Sequence, residues 1–161
     1  EVGATVGQEL VHHRVQSGAS LGLVRSRAMD AAQALADLTE ISSQIESAVI
    51  ATHKGAVQAS TFGDDGKGKE VAGLALELLA AAEEARGEGE PLVQLEAATG
   101  QGSVFVVRGK RNVAAAVTTP KPTVGLVFYD LKTCLRLLEQ GQEAAKPARR
   151  PRKKKEEKSG S

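Results

Sequence analysis

The sequence has 161 residues, a length that suits one domain with tails, and no apolar run approaches the ~20 residues that a membrane helix needs. Hydrophobic residues make up 41% and charged residues 25%, both within the range of globular proteins. The formal net charge of +1 hides an asymmetry: residues 142–161 hold eight Lys or Arg against three Glu, whereas the rest holds thirteen basic against seventeen acidic side chains, so the overall charge is no argument for a nucleic-acid-binding body.

Aromatic residues are 2% of the chain and Trp is absent. The core must then be built from Ala, Val, Leu and Ile. Small side chains bury little area each, so helices and sheet must approach closely to gain enough. The one cysteine, Cys134, excludes an internal disulfide and fits a reducing compartment, so a cytoplasmic location is expected. No signal-peptide pattern is visible.

Residues 1–28 are weakly patterned. Leu10, Val11 and Val15 suit one helical face, but Gly18 and Gly22 interrupt it, and the segment reads as a flexible arm or the remnant of a longer protein. From Met29 the pattern sharpens. Asp30 offers an N-cap, and Leu35, Leu38, Ile41 and Ile45 recur at helical spacing. Residues 47–52 read as a short apolar strand, His53-Lys54-Gly55 as a turn, and residues 56–62 as the returning strand. Residues 63–68 read as a polar loop before a long helix over 69–86. Val71, Leu74, Ala75, Leu78 and Ala82 give that helix one apolar face, and Ala72, Leu76, Leu79 and Ala80 lie elsewhere around it.

Three strands are then expected, over 92–99, 103–108 and 112–118. Gln94 and Glu96 suggest an edge position for the first, whereas the other two are apolar on both faces, as strands covered from both sides should be. Pro120 and Pro122 break the chain, and Thr123 is placed to cap a last helix. Its inner face is Val127, Leu131, Cys134, Leu135 and Leu138, and Gly141 is the expected stop. The order α-β-β-α-β-β-β-α with three hairpin turns predicts an α/β (α+β) domain over residues 29–141, a five-stranded antiparallel sheet with helices on both faces. Residues 142–161 are expected to form a disordered basic tail.

This order, with these spacings, resembles the roadblock / dynein light-chain family, a profilin/roadblock-like fold that includes the bacterial MglB-type regulators of Ras-like GTPases. The resemblance covers about residues 29–141. It rests on the first helix, the hairpin Ala48-Val-Ile-Ala-Thr-His-Lys-Gly-Ala-Val, the long second helix, the three-strand meander and the closing segment Thr123-Val-Gly-Leu-Val-Phe-Tyr-Asp-Leu. It implies a dimer, with itself or with a related roadblock subunit, joined through the long helix and the neighbouring edge strand. It also implies a Ras-like small GTPase as partner, whose GTP hydrolysis some members stimulate and others leave alone. The sequence supports the dimer in its own right, because a helix with apolar residues on two sides needs two partners, and exposing residues as large as Leu76 and Leu79 is costly. The residues expected at the helix contact are Ala72, Leu76, Leu79, Ala80 and Glu83, with Leu92, Gln94 and Glu96 on the edge strand. Arg86 is the one arginine near that surface.

The residues offer little chemistry. Gly63-Asp-Asp-Gly-Lys-Gly-Lys-Glu70 nearly matches the phosphate-cradling pattern G-x-x-x-x-G-K-[ST], yet Glu70 stands where a hydroxyl would bind Mg²⁺, and Asp64 and Asp65 would repel phosphate. His12 and His13 are adjacent and cannot ligate from one helical face. Cys134 reads as a buried core thiol. No nucleophile–base–orienter set can be assembled, so the chain is expected to be non-catalytic and to need no cofactor or metal. The strongest electrostatic feature is the tail, with Lys146, Arg149, Arg150, Arg152, Lys153, Lys154 and Lys155. It suits an anionic membrane surface, placing the protein peripherally at the inner membrane, or an acidic protein. The lack of interleaved aromatics argues against nucleic acid.

Overall fold

A computed structural model describes residues 29–145. The expected arm over residues 1–28 and residues 146–161 of the expected 142–161 tail lie outside the described residues, whereas residues 142–144, expected to be disordered, are helical. Helix α1 spans Ala31–Ile41, and Asp30 caps it by accepting the Gln33 N–H at 2.8 Å. The helix ends four residues sooner than its apolar spacing suggested. The Ser42 N–H bonds back to the Leu38 carbonyl, and Ile45 already belongs to strand β1 (Ile45–Thr52), paired with Thr118. Ile41 is therefore left 68% exposed rather than buried on the helix face.

Strand β2 (Val57–Ser60) returns from β1 through a turn in which Gly55 has φ +85°, a backbone conformation that favours glycine. Helix α2 spans Asp65–Arg86, beginning four residues before the expected start. Asp64 is its N-cap and accepts the Gly66 N–H at 2.8 Å, which draws the supposed loop into the first helical turn. Gly68 lets that turn press onto β2, since a Cβ there would lie 2.6 Å from Ser60 Oγ.

Strands β3 (Gln94–Thr99), β4 (Gly102–Arg108) and β5 (Asn112–Thr118) form the meander, and helix α3 spans Val124–Ala144. Every strand pairing is antiparallel and the sheet order is β2-β1-β5-β4-β3. β4 and β5 are interior strands, as their two-sided apolar pattern requires, and β3 is an edge. Thr123 takes the N-cap position of α3 without a side-chain cap; its N–H instead donates to Gln44 Oε1. Gly141 does not end the helix. It sits where the backbone of Met29 crosses α3, and a Cβ there would approach Met29 N to 2.6 Å, so the glycine serves close packing.

Alternation along the strands sorts the core into two layers. Ala48, Ile50, Phe105, Val107, Ala114 and Ala116 meet α1 and α3, whose Leu35, Leu38, Val127, Leu131, Leu135 and Leu138 fill that side. Phe105 and Phe128 add an edge-to-face ring contact at 4.9 Å. On the other side Val49, Ala51, Val106, Val113 and Ala115 meet α2 through Ala72, Ala75 and Leu79. Alanine at two of those five sheet positions and two of the three helix positions would bury too little area at ordinary spacing. The chain compensates by close approach, as the scarcity of aromatics requires.

Candidate functional site

Helix α2 crosses β1, β2 and β5 and leaves the β3 side of its own sheet face uncovered. Val104, Val117, Leu95 and Ala97 are in consequence only half buried there. The flank of α2 that overlooks them carries Val71, Leu74, Leu78 and Ala81, spaced i, i+3, i+7 and i+10 along one helical stripe. Helix flank and bare strands enclose a groove of about 430 Å³, on whose wall Glu77 is the one charged side chain. Leu74 stands 54% exposed at its rim. Beside the groove, β3 presents an outer edge with no strand paired to it among the described residues. An aliphatic groove running into an open sheet edge is a surface suited to association.

The residues expected at this surface divide three ways. Ala72 and Leu79 are 3% and 0% exposed and pack on the sheet, so the expectation that they face a partner is corrected: they belong to the core of their own chain. Leu76 is half buried and leans over the β1–β2 turn, within 3.5 Å of where a Cβ on Gly55 would lie. Ala80 is exposed. The predicted sheet-facing set fares the opposite way, since of Val71, Leu74, Ala75, Leu78 and Ala82 only Ala75 is fully buried. Helix α2 is apolar around so much of its circumference that period alone does not say which side takes the sheet. The alanine-rich side does, because it permits the closer approach.

On β3, Gln94 and Glu96 are exposed and sit opposite Val107 and Phe105, on the side of the sheet that faces α1 and α3. Glu96 accepts the Ser103 hydroxyl at 3.0 Å. The side chains of β3 that face the groove are Leu95 and Ala97, their neighbours in the alternation, which sequence reasoning passed over. The missing signal was there: with Gln94 and Glu96 on one side, the period of two puts Leu95 and Ala97 on the other.

Glu83 has a structural task. One of its carboxylate oxygens lies 2.5 Å from Arg108 Nη1 and also accepts the Leu92 N–H at 2.8 Å. The Arg108 hydrogen bond holds the Glu83 carboxyl below its ordinary range, helped by the Leu92 N–H and by the nearby charges of Arg108 and Arg86. This clasp ties the end of α2 to β4 and to the segment that enters β3, fixing the edge strand beside the helix. Arg86 donates to the carbonyl of Glu90 in the same connection.

The near-match to a phosphate loop is occupied by the protein itself, since the Asp64 carboxylate takes the N-terminal amide that a phosphate would need. Among the described residues no group of His, Cys, Asp and Glu is arranged to hold a metal ion, and no helix is long and apolar enough to cross a membrane. Burial pushes the Cys134 thiol up to about 11, with Asp37 adding to the effect, and its Sγ lies 3.4 Å from the Ala34 carbonyl oxygen inside the α1–α3 seam.

No family model and no curated protein matches the sequence. Solved structures do. A roadblock/LC7 domain from Streptomyces avermitilis superposes with a TM-score of 0.61 at 18% identity, covering 67% of this chain and 93% of that one. The chain has the roadblock/LC7 fold. Two bacterial MglB structures agree. Myxococcus xanthus MglB gives a TM-score of 0.55 at 16% identity, over 71% of this chain and 92% of its own. The gliding protein MglB of Thermus thermophilus gives 0.54 at 20% identity, over 74% and 91%. The α2–β3 groove is an apolar surface of this fold.

Proposed function

We propose that this roadblock-like chain is a dimeric, non-catalytic regulator or docking module for a Ras-like small GTPase. The observation that carries the reading is the aliphatic flank of α2 running into the open edge of β3. On this reading two copies meet about a two-fold axis, with Val71, Leu74 and Leu78 against their counterparts and the edge strands alongside. The paired α2 helices then form one continuous platform for the GTPase. Where hydrolysis is stimulated, the platform acts by ordering the switch loops and catalytic residues of the GTPase itself. Support comes from the fold shared with MglB and from the sequence resemblance to MglB-type regulators.

A second reading is favoured by the seven Lys and Arg clustered over residues 146–155: an adaptor held by its tail at an anionic surface or an acidic protein, without effect on GTP turnover. The deciding experiment is capture of partners from source-cell lysate with GTP analogue or GDP added, followed by timing GTP hydrolysis by the recovered GTPase with and without this protein. Recovery that depends on nucleotide state supports control of a GTPase, and a faster turnover adds stimulation. Recovery of no GTPase in either state removes the first reading and leaves the adaptor.

A further inference from the structure

On the face of the sheet opposite α2, helix α3 covers β4 and β5 and stops short of the edge strand. A second groove, of about 880 Å³, opens there between the latter half of α3 and the segment entering β3. Its floor is the core residues Val107 and Leu135, and its rim carries Val93, which is 55% exposed. Three cations converge on this apolar floor. Lys110 comes from the β4–β5 turn, and Lys132 and Arg136 lie one turn apart on α3. None of the three has an ion-pair partner among the described residues.

The carboxylates of the groove are mostly engaged elsewhere. Glu139 is buried and accepts the Arg111 N–H at 2.8 Å, and Glu143 pairs with the Arg111 side chain at 3.3 Å. Glu90 is the one lining carboxylate whose side chain has no such partner among the described residues. Arg108, also on the wall, is committed to Glu83.

We propose that this groove docks an acidic peptide segment of a partner protein, one that presents an aliphatic or aromatic side chain flanked by carboxylates. Unpaired lysines on an open surface mean little. Here they surround a concavity with an apolar floor, where a bound carboxylate is partly withdrawn from water and its ion pairs gain strength. The volume suits a short segment with one buried anchor. A flat anionic membrane would reach the cations and leave the floor empty. No aromatic side chain lines the groove to stack on a base. The basic tail of the chain has the wrong charge to fill it. Because the groove lies across the sheet from the α2–β3 flank, both surfaces can be engaged at once, and the proposal does not rest on the GTPase reading.

The test is selection of a random peptide phage library on the full chain, with a Lys110→Glu, Lys132→Glu, Arg136→Glu triple variant as counter-target. The tail is intact in both proteins, so peptides drawn to it bind both alike. All three substituted residues are exposed, so the fold should survive, and Lys132→Glu with Arg136→Glu serves as a milder second variant. The expected result is enrichment of acidic peptides around an apolar residue, binding the triple variant about tenfold or more weakly by fluorescence anisotropy. Val93→Ser should weaken them further. Enrichment of peptides without acidic residues, or of peptides that bind both proteins equally, would overturn the proposal. So would failure to enrich any peptide while phosphatidylglycerol vesicles bind and are released by the same triple substitution, which would assign the cations to a membrane.

Discussion

Leu74→Ala separates the proposed interface from the core. Leu74 is 54% exposed, and covering a whole leucine side chain is worth about 1.5–3 kcal/mol, so hiding its exposed half in a partner contributes about 1 kcal/mol or slightly more. A two-fold axis counts the residue twice, giving about 2–3 kcal/mol, or a dimer dissociation constant raised roughly thirty- to a hundred-and-fortyfold. The same substitution should cost the isolated fold only about 1 kcal/mol, because just the covered half of the side chain packs within its own chain. Leu79→Ala is the control. With 0% exposure against the sheet, it should lower unfolding stability by about 2–5 kcal/mol. Sedimentation equilibrium over a dilution series reads the first quantity and urea unfolding the second. A wild-type chain that stays monomeric throughout the series refutes the dimer. A dimer whose dissociation constant moves less than about threefold in Leu74→Ala refutes the placement of the interface.

Three further outcomes follow from the structure. The folded-state pKa of Glu83 lies below its ordinary value of 4.5, so its stabilising contribution is complete above that value and is lost as pH falls through the folded pKa. Glu83→Gln should therefore lower Tm at pH 7 and lose less than wild type on acidification below about 4.5, and parallel Tm–pH curves would contradict the clasp. Gly141→Ala should destabilise by about 1–3 kcal/mol despite the better helix propensity of alanine, because its Cβ meets the Met29 backbone; a variant at least as stable as wild type would mean that the crossing yields freely. Cys134, buried with its thiol pushed up to about 11, should react with iodoacetamide at pH 8 only as fast as the chain unfolds, and rapid labelling of the native protein would place it elsewhere.

What the sequence determined by itself was the order of elements, the antiparallel meander, the inner face of α3 and the edge position of β3. Each rests on a local signal: a period of two or 3.6, a turn residue, or polar residues on one strand. Local signals also misled at three boundaries. Ile45 kept helical spacing with Ile41 but pairs with Thr118 across the sheet, a contact made between distant parts of the chain. Gly141 looked like a helix stop but is a crossing point for Met29. The polar loop before α2 became helix because the Asp64 side chain supplied the missing acceptor. Only the tertiary structure decided which side of α2 meets the sheet. The sequence makes both sides of α2 apolar, with Ala72 and Leu79 on one and Leu74 and Leu78 on the other, and the choice turns on how closely two surfaces of small side chains can approach. That distance is a property of the packed pair, so Leu74 and Leu78 became the outward residues, and Ala72 and Leu79 the core, only when helix and sheet came together.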